Sequence, residues 1–139
     1  MDLEQSKSEA LHLAKSLAQE AEAHKGEDVR ILDVGDLLYL TDYFVLVTSQ
    51  SARQTKAITS ALRVEAKRVT GEPGHEEGSS GSAWVLCDFG TVVVHVLSPE
   101  GREFYGLDHL WHDAKLVPFG GSSGEEESRP HSLGPAPAE

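Results

Sequence analysis

Cysteine is almost absent: Cys87 stands alone among 139 residues, so no internal disulfide can staple the chain. Its setting, Trp84-Val85-Leu86-Cys87, is apolar and implies a buried small residue rather than a reactive thiol. Long hydrophobic runs are missing as well. Nothing approaches the roughly 18–20 apolar residues that cross a bilayer, so no membrane role is expected. The opening stretch MDLEQSKSEA has no apolar signal core and carries Asp2, Glu4 and Glu9, where an import peptide would be rich in arginine and poor in acids. These absences together point to a reducing, cytoplasmic setting.

Positive charge is scarce too. Twelve Lys and Arg stand against 23 Asp and Glu, a formal net charge of −11. Nucleic acids are held by neutralising their phosphates, so an acidic chain repels them over most of its surface. Direct nucleic-acid binding is therefore not expected. A basic protein partner is easier to accommodate, because complementary charge speeds encounter. What remains is ordinary: 39% hydrophobic and 25% charged residues suit one globular domain with a modest core.

Apolar residues Leu3, Ala10, Leu13, Ala14, Leu17, Ala18 and Ala21 recur at helical spacing and predict a first helix over residues 3–24, stopped at Lys25-Gly26. Val29 to Val34 is rich in β-branched residues and predicts a strand, turned by Gly35-Asp36. Tyr43 to Thr48 is apolar at every alternation, which suits a central strand covered on both faces. Ser51 is placed to cap a second helix, Ala52 to Thr70, with a core stripe of Ala57, Ile58, Ala61, Leu62, Ala66 and Val69. Gly71 to Ser82 has no periodicity and predicts an exposed, mobile loop. Ala83–Asp88 and Thr91–Leu97 form a hairpin about Phe89-Gly90. Ser98-Pro99-Glu100 starts a short helix to about Tyr105, with a further turn near Asp108 to Trp111. The folded domain is expected over 1–119. Residues 120–139 are mostly Gly, Ser, Pro and Glu, too poor in apolar groups to offset their ordering entropy, and predict a disordered tail. The fold class is α/β (α+β): a mixed β-sheet flanked by helices.

Within that order stand recognisable residues. Asp28-Val29 through Val34, Thr41-Asp42-Tyr43-Phe44-Val45, and Ser49 with Arg53-Gln54 come first. Then follow Trp84-Val85-Leu86, Asp88-Phe89-Gly90 and Val92-Val93-Val94-His95-Val96. Last come Arg102-Glu103-Phe104-Tyr105, Leu107-Asp108, Leu110-Trp111 and Asp113-Ala114. In their joint order and spacing, over residues 27–117, these resemble the iojap, or ribosomal silencing factor, family. The resemblance implies a nucleotidyltransferase-like core without its catalytic carboxylates, often dimeric. It further implies binding to the large ribosomal subunit through a member of the ribosomal protein L14 family. That placement would block joining of the small subunit and repress translation. Thr91 departs from the family's Asp after the hairpin glycine, and Gly106 replaces a residue that favours helix more.

Each candidate site has a plainer alternative. Asp42 stands where a nucleotidyltransferase would begin its metal-binding Asp-x-Asp, but the second position is Phe44, which cannot ligate a metal. Neither catalytic residue nor cofactor is expected. Asp88-Phe89-Gly90 echoes a kinase triplet without the motifs that accompany it. His109 and His112 share a helical side but find no convincing third ligand, so no metal site is expected. His95, inside a strand, suits packing rather than catalysis.

Trp84, Tyr105, Leu107 and Trp111 are core on physics alone, yet aromatics with polar handles also dominate interface hot spots. The resemblance implies the second role, with Asp88 and Asp108 meeting Lys or Arg of the ribosomal partner. Arg53, Lys56, Arg63 and Lys67 line the second helix opposite its apolar stripe. They form either a solvated face or a contact for rRNA or an acidic partner. Two other functions stay open at this point. One is a large-subunit assembly factor holding rRNA through that helix; the other is a surviving enzyme in which Asp33, Asp42 and Asp88 converge on Mg²⁺.

Overall fold

The computed structural model describes residues 3–36, 41–110 and 114–119. Helix α1 (Leu3–Ala23) turns its three-and-four repeat inward, burying Ala10, Leu13, Ala14, Leu17, Ala18 and Ala21. The small alanines let its backbone lie close to what it covers. Lys25 takes the left-handed conformation at φ 70° and Gly26 N–H closes on the Ala21 carbonyl at 2.8 Å. Gly26 is needed for space: a Cβ there would sit 2.7 Å from Val47 Cγ1 and 2.9 Å from the Ala21 carbonyl oxygen.

Strand β1 (Glu27–Asp33) pairs antiparallel with β2 (Tyr43–Thr48), Ile31 opposite Val45. The register shifts between Glu27 and Arg30, where Asp28 stands at φ 49°. Such a bulge re-aims a side chain, and the direction it gives Asp28 matters below. From β2 the chain crosses through α2 (Ala52–Thr70), β3 (His75–Glu77) and β4 (Trp84–Asp88) to β5 (Val92–Leu97), which pairs parallel with β2. The crossover is obligatory, since parallel neighbours cannot be joined by a tight turn. Ser51 caps α2, its hydroxyl accepting from Gln54 N–H at 3.1 Å, and Gly71 ends the helix at φ 92°.

Strands β4 and β5 form the expected antiparallel hairpin, and Asp88 accepts from Gly90 N–H at 2.8 Å within its turn. Helices α3 (Pro99–Tyr105) and α4 (Leu107–Leu110) follow, then β6 (Lys115–Val117) returns to pair with β1. The sheet order is β3-β4-β5-β2-β1-β6. It is a mixed sheet flanked by helices.

Alternation along the strands divides the apolar residues between two layers. Ile31, Tyr43, Val45, Val47, Val85, Cys87, Val92, Val94 and Val96 face α1 and α2, and Phe119 joins them. Leu32, Phe44, Leu46 and Leu97 face the other way and meet Leu107, with Trp84 and Val93 partly covered beside them. All of β2 is buried, as its double-sided apolar pattern requires. A fully buried aliphatic side chain is worth roughly 1.5–3 kcal/mol, so the helix-covered layer supplies most of the stability.

Three expectations need correction. The Gly71–Ser82 segment is not simply an irregular loop, because it contains β3, whose backbone pairs with β4 despite carrying His75, Glu76 and Glu77. Strand β6 is an addition to the expected elements, because three residues are too few to show a period. On α2, Ala57 is exposed, while Thr55 and Thr59 are buried. Both hydroxyls are satisfied locally, Thr55 on Ser49 Oγ at 2.8 Å and Thr59 on the Lys56 carbonyl at 3.3 Å, so these threonines pack as small apolar groups. The tail over 120–139, and Trp111 and His112, lie outside the described residues.

Candidate functional site

At the end of the sheet where β4 begins, three aromatic rings run from the interior to solvent. Trp84 is half-buried and its indole N–H donates to His95 Nδ1 at 3.1 Å. Tyr105 lies against it with ring centroids 4.7 Å apart, and Phe104 meets Tyr105 edge-on at 5.0 Å. Tyr105 is 42% exposed and Phe104 79% exposed. Beneath them His95 is buried, with the Phe44 ring edge-on at 4.4 Å. Burial pushes its imidazole down to about 4, so the ring is neutral at pH 7. With Nδ1 accepting, the proton sits on Nε2, an atom that finds no hydrogen-bond partner among the described residues.

Helix α3, which carries Phe104 and Tyr105, and α4 after it are short, and buried polar contacts hold them. Ser98 caps α3, accepting from Gly101 N–H at 2.9 Å, and Gly106 at φ 59° ends it. Arg102, 9% exposed, donates from Nε and Nη2 to the two Asp108 carboxylate oxygens at 2.8 and 3.0 Å. Its third nitrogen, Nη1, donates to Thr48 Oγ1 at 2.9 Å. Arg30 Nη1 reaches Asp108 at 3.2 Å, and Asp28 on the bulge lies 3.5 Å from Arg102. Burial would raise the Asp108 carboxyl, but the Arg102 hydrogen bonds and charge, with Arg30, hold it below its ordinary value.

The sequence candidates therefore separate. Trp84 and Tyr105 come together at this end. Leu107 lies beneath, 4% exposed and packed in the second layer. Asp108 adjoins them but is engaged by Arg102 and Arg30. Asp88 is exposed at the other end of β4, about 13 Å from Trp84 at strand rise. Trp111 is outside the described residues. Two residues that sequence reasoning did not assign belong here. Phe104 shares the exposed surface of α3 with Tyr105, and Arg102 holds that helix down. An apolar ring beside charged neighbours, as in Arg102-Glu103-Phe104, was the available signal for the first.

The stripe on α2 is thinner than its sequence suggests. Arg53, Lys56 and Lys67 are exposed. Arg63 instead donates to the Pro73 and Gly74 carbonyls at 3.3 and 3.4 Å, fastening the segment that leads into β3. Arg68 pairs with Glu65, which also accepts from Ser16 on α1. These hydrogen bonds, Arg68 first, bring the Glu65 carboxyl down to about 2.

Two of the three carboxylates of the enzymatic alternative, Asp33 and Asp88, are engaged in other ways. Asp33 accepts from Lys7 Nζ at 2.8 Å and from Gly35 N–H at 3.1 Å, while Asp88 serves its own turn. Burial works against the Asp33 charge, but Lys7 and Gly35 outweigh it and hold the carboxyl low. The Lys7 ammonium also lies 4.9 Å over the Tyr43 ring. Among the described residues no cluster of three or more His, Cys, Asp or Glu could hold a metal ion. Burial pushes the Cys87 thiol up to about 12, which removes it as a nucleophile at neutral pH.

Comparison with known proteins gives a consistent result. A family described as ribosomal silencing factor during starvation matches residues 7–136. A protein named ribosomal silencing factor from Chromobacterium violaceum is 35% identical over 111 residues, covering 77% of this chain and 88% of that protein. The chloroplastic protein Iojap of Zea mays is 38% identical over 113 residues, covering 78% of this chain. This chain spans about half of that plant protein, 47% of its length. Among solved structures, a crystal structure of a Chromobacterium violaceum protein superposes with a TM-score of 0.64 at 32% identity, covering 80% of this chain and 92% of that one.

Proposed function

The chain belongs to the ribosomal silencing factor family, and from that premise we propose that it docks on the large ribosomal subunit through a basic ribosomal protein of the L14 family. Seated there, its body occupies space that the small subunit needs, so joining fails and translation is repressed. The observation that carries the reading is the exposed Trp84–Tyr105–Phe104 surface on a chain of net charge −11. Aromatic rings with polar handles bury large area at low entropic cost. Glu100 and Glu103, both exposed on α3, supply an acidic rim that suits a Lys- and Arg-rich partner. The action is steric and needs no bond chemistry. An interface of ordinary size, about 1,600 Å² in total, is enough to compete with subunit docking.

Tyr105→Ala is the direct test. Removing a hot-spot ring costs about 2 kcal/mol or more, roughly a thirty-fold loss of affinity. The half-exposed position leaves the fold in place. Co-sedimentation with purified large subunits should show that loss, alongside an unchanged far-ultraviolet circular dichroism spectrum. Undiminished co-sedimentation of the variant removes this surface from the interface. A bound protein that leaves subunit joining unslowed removes the steric mechanism.

A further inference from the structure

We infer that Arg102 is the positioning residue of the docking surface: it fixes α3 and α4 so that Tyr105 and Phe104 are presented on Trp84, without itself touching the partner. The inference rests on the proposed docking role of those rings. Its geometric half, the control of the Trp84–Tyr105 stack, stands by itself.

Helices of seven and four residues are too short to persist on their own hydrogen bonds, and the break at Gly106 leaves them free to hinge. Arg102 spans that break. Its planar fork takes both oxygens of Asp108 on α4, and its remaining nitrogen reaches Thr48 at the end of β2. One guanidinium therefore ties two helices to the central strand, which a lysine's single ammonium could not reproduce. The bulge at Asp28 turns a second carboxylate toward Arg102 and Arg30.

Arg30 and Arg102 against Asp28 and Asp108 leave the cluster neutral, so it needs no bound ion to complete it. Tyr105 follows Arg102 by three residues, one helical turn. Arg102 is buried while Tyr105 is exposed, so the buried fork fixes the helix from which the ring projects. A surface organised before contact loses less entropy on binding, and that gain disappears if the helices splay.

The test compares Arg102→Met, Arg102→Lys and Tyr105→Ala by two readouts. Co-sedimentation with large ribosomal subunits at several salt concentrations reports binding. Acrylamide quenching of Trp84, in a Trp111→Phe background used for this arm only, reports the stack in the folded protein. Arg102→Met should weaken binding at least ten-fold with an unaltered salt slope and should raise Trp84 quenching at least two-fold. Arg102→Lys should recover less than half of either effect. Weaker binding with unmoved Trp84 quenching, or with a shallower salt slope, would mean that Arg102 meets the partner directly and overturns the inference. Raised quenching with undiminished binding overturns it as well. Tyr105→Ala binding like wild type defeats the docking reading, while quenching still decides the geometric half. Should Arg102→Met fail to fold, Asp108→Asn, which leaves the guanidinium on Thr48, must show both effects at smaller size. Its failure to do so counts equally against the inference.

Discussion

His95 makes the stability of this protein sensitive to mild acid. The imidazole is buried, and burial alone brings its pKa down to about 4 from the ordinary 6.5. A group depressed in the folded state contributes fully above the unfolded pKa, and that contribution is lost as pH falls toward the folded one. The window is therefore pH 6.5 to 4. Linkage over those two values removes about 2 kcal/mol between pH 7 and pH 5, and about 3 kcal/mol by pH 4. With a urea dependence of about 1.5 kcal/mol per molar for a domain of this size, the first loss moves the unfolding midpoint down by a little over 1 M.

The comparison is wild type against His95→Phe, whose ring suits the layer beside Phe44 and does not titrate. Trp84 then loses its acceptor, but it is only half-buried and water can replace it. The variant's absolute stability is immaterial; the difference between the two pH curves isolates His95, because every other titration is common to both. Urea midpoints at pH 7, 6 and 5 should converge or cross. Parallel curves would refute the assignment of a neutral, water-excluded imidazole.

Two further perturbations follow from the same geometry. Glu65 is held down to about 2 by Arg68 and Ser16, so its contribution is present above pH 4.5 and lost as pH falls toward 2; Glu65→Gln should flatten that limb of the urea-midpoint profile, and an unchanged limb would show that the carboxylate does not tie α1 to α2. Gly101 faces the Ala83 carbonyl so closely that a Cβ would lie 2.4 Å from its oxygen; because backbone cannot yield as a flexible side chain can, Gly101→Ala should cost about 1–3 kcal/mol in thermal unfolding and weaken large-subunit binding with it, and a variant as stable as wild type would contradict the close approach.

Most of the fold was legible wherever a period was long enough to repeat. Helix α2 begins and ends at Ala52 and Thr70 as Ser51 and Gly71 dictate, and β2 matches its double-sided apolar run from Tyr43 to Thr48. Strands β3 and β6 were not legible, because three-residue edges are made by backbone pairing with a neighbour and carry little pattern of their own. The candidate site was readable as residue types but not as a surface. Trp84 and Tyr105 are 21 positions apart, and only the β5–α3 turn brings their rings together. Nor could spacing reveal that Arg102 would reach Asp108 and Thr48, or that Arg63 would serve two carbonyls instead of a stripe. Those partners are chosen by tertiary approach, which linear periodicity does not encode.

The sheet also has an order of completion. Its outer place beside β1 is filled by residues 115–117, and Phe119, just beyond, enters the helix-side core. As the chain emerges from a ribosome, β1 must wait with its outward N–H and C=O groups unpaired until residues 115–117 have been made. Closure is thus a late, cooperative event rather than the gradual growth of a hairpin. The first strand of the sheet is thus completed by the last of the described ones.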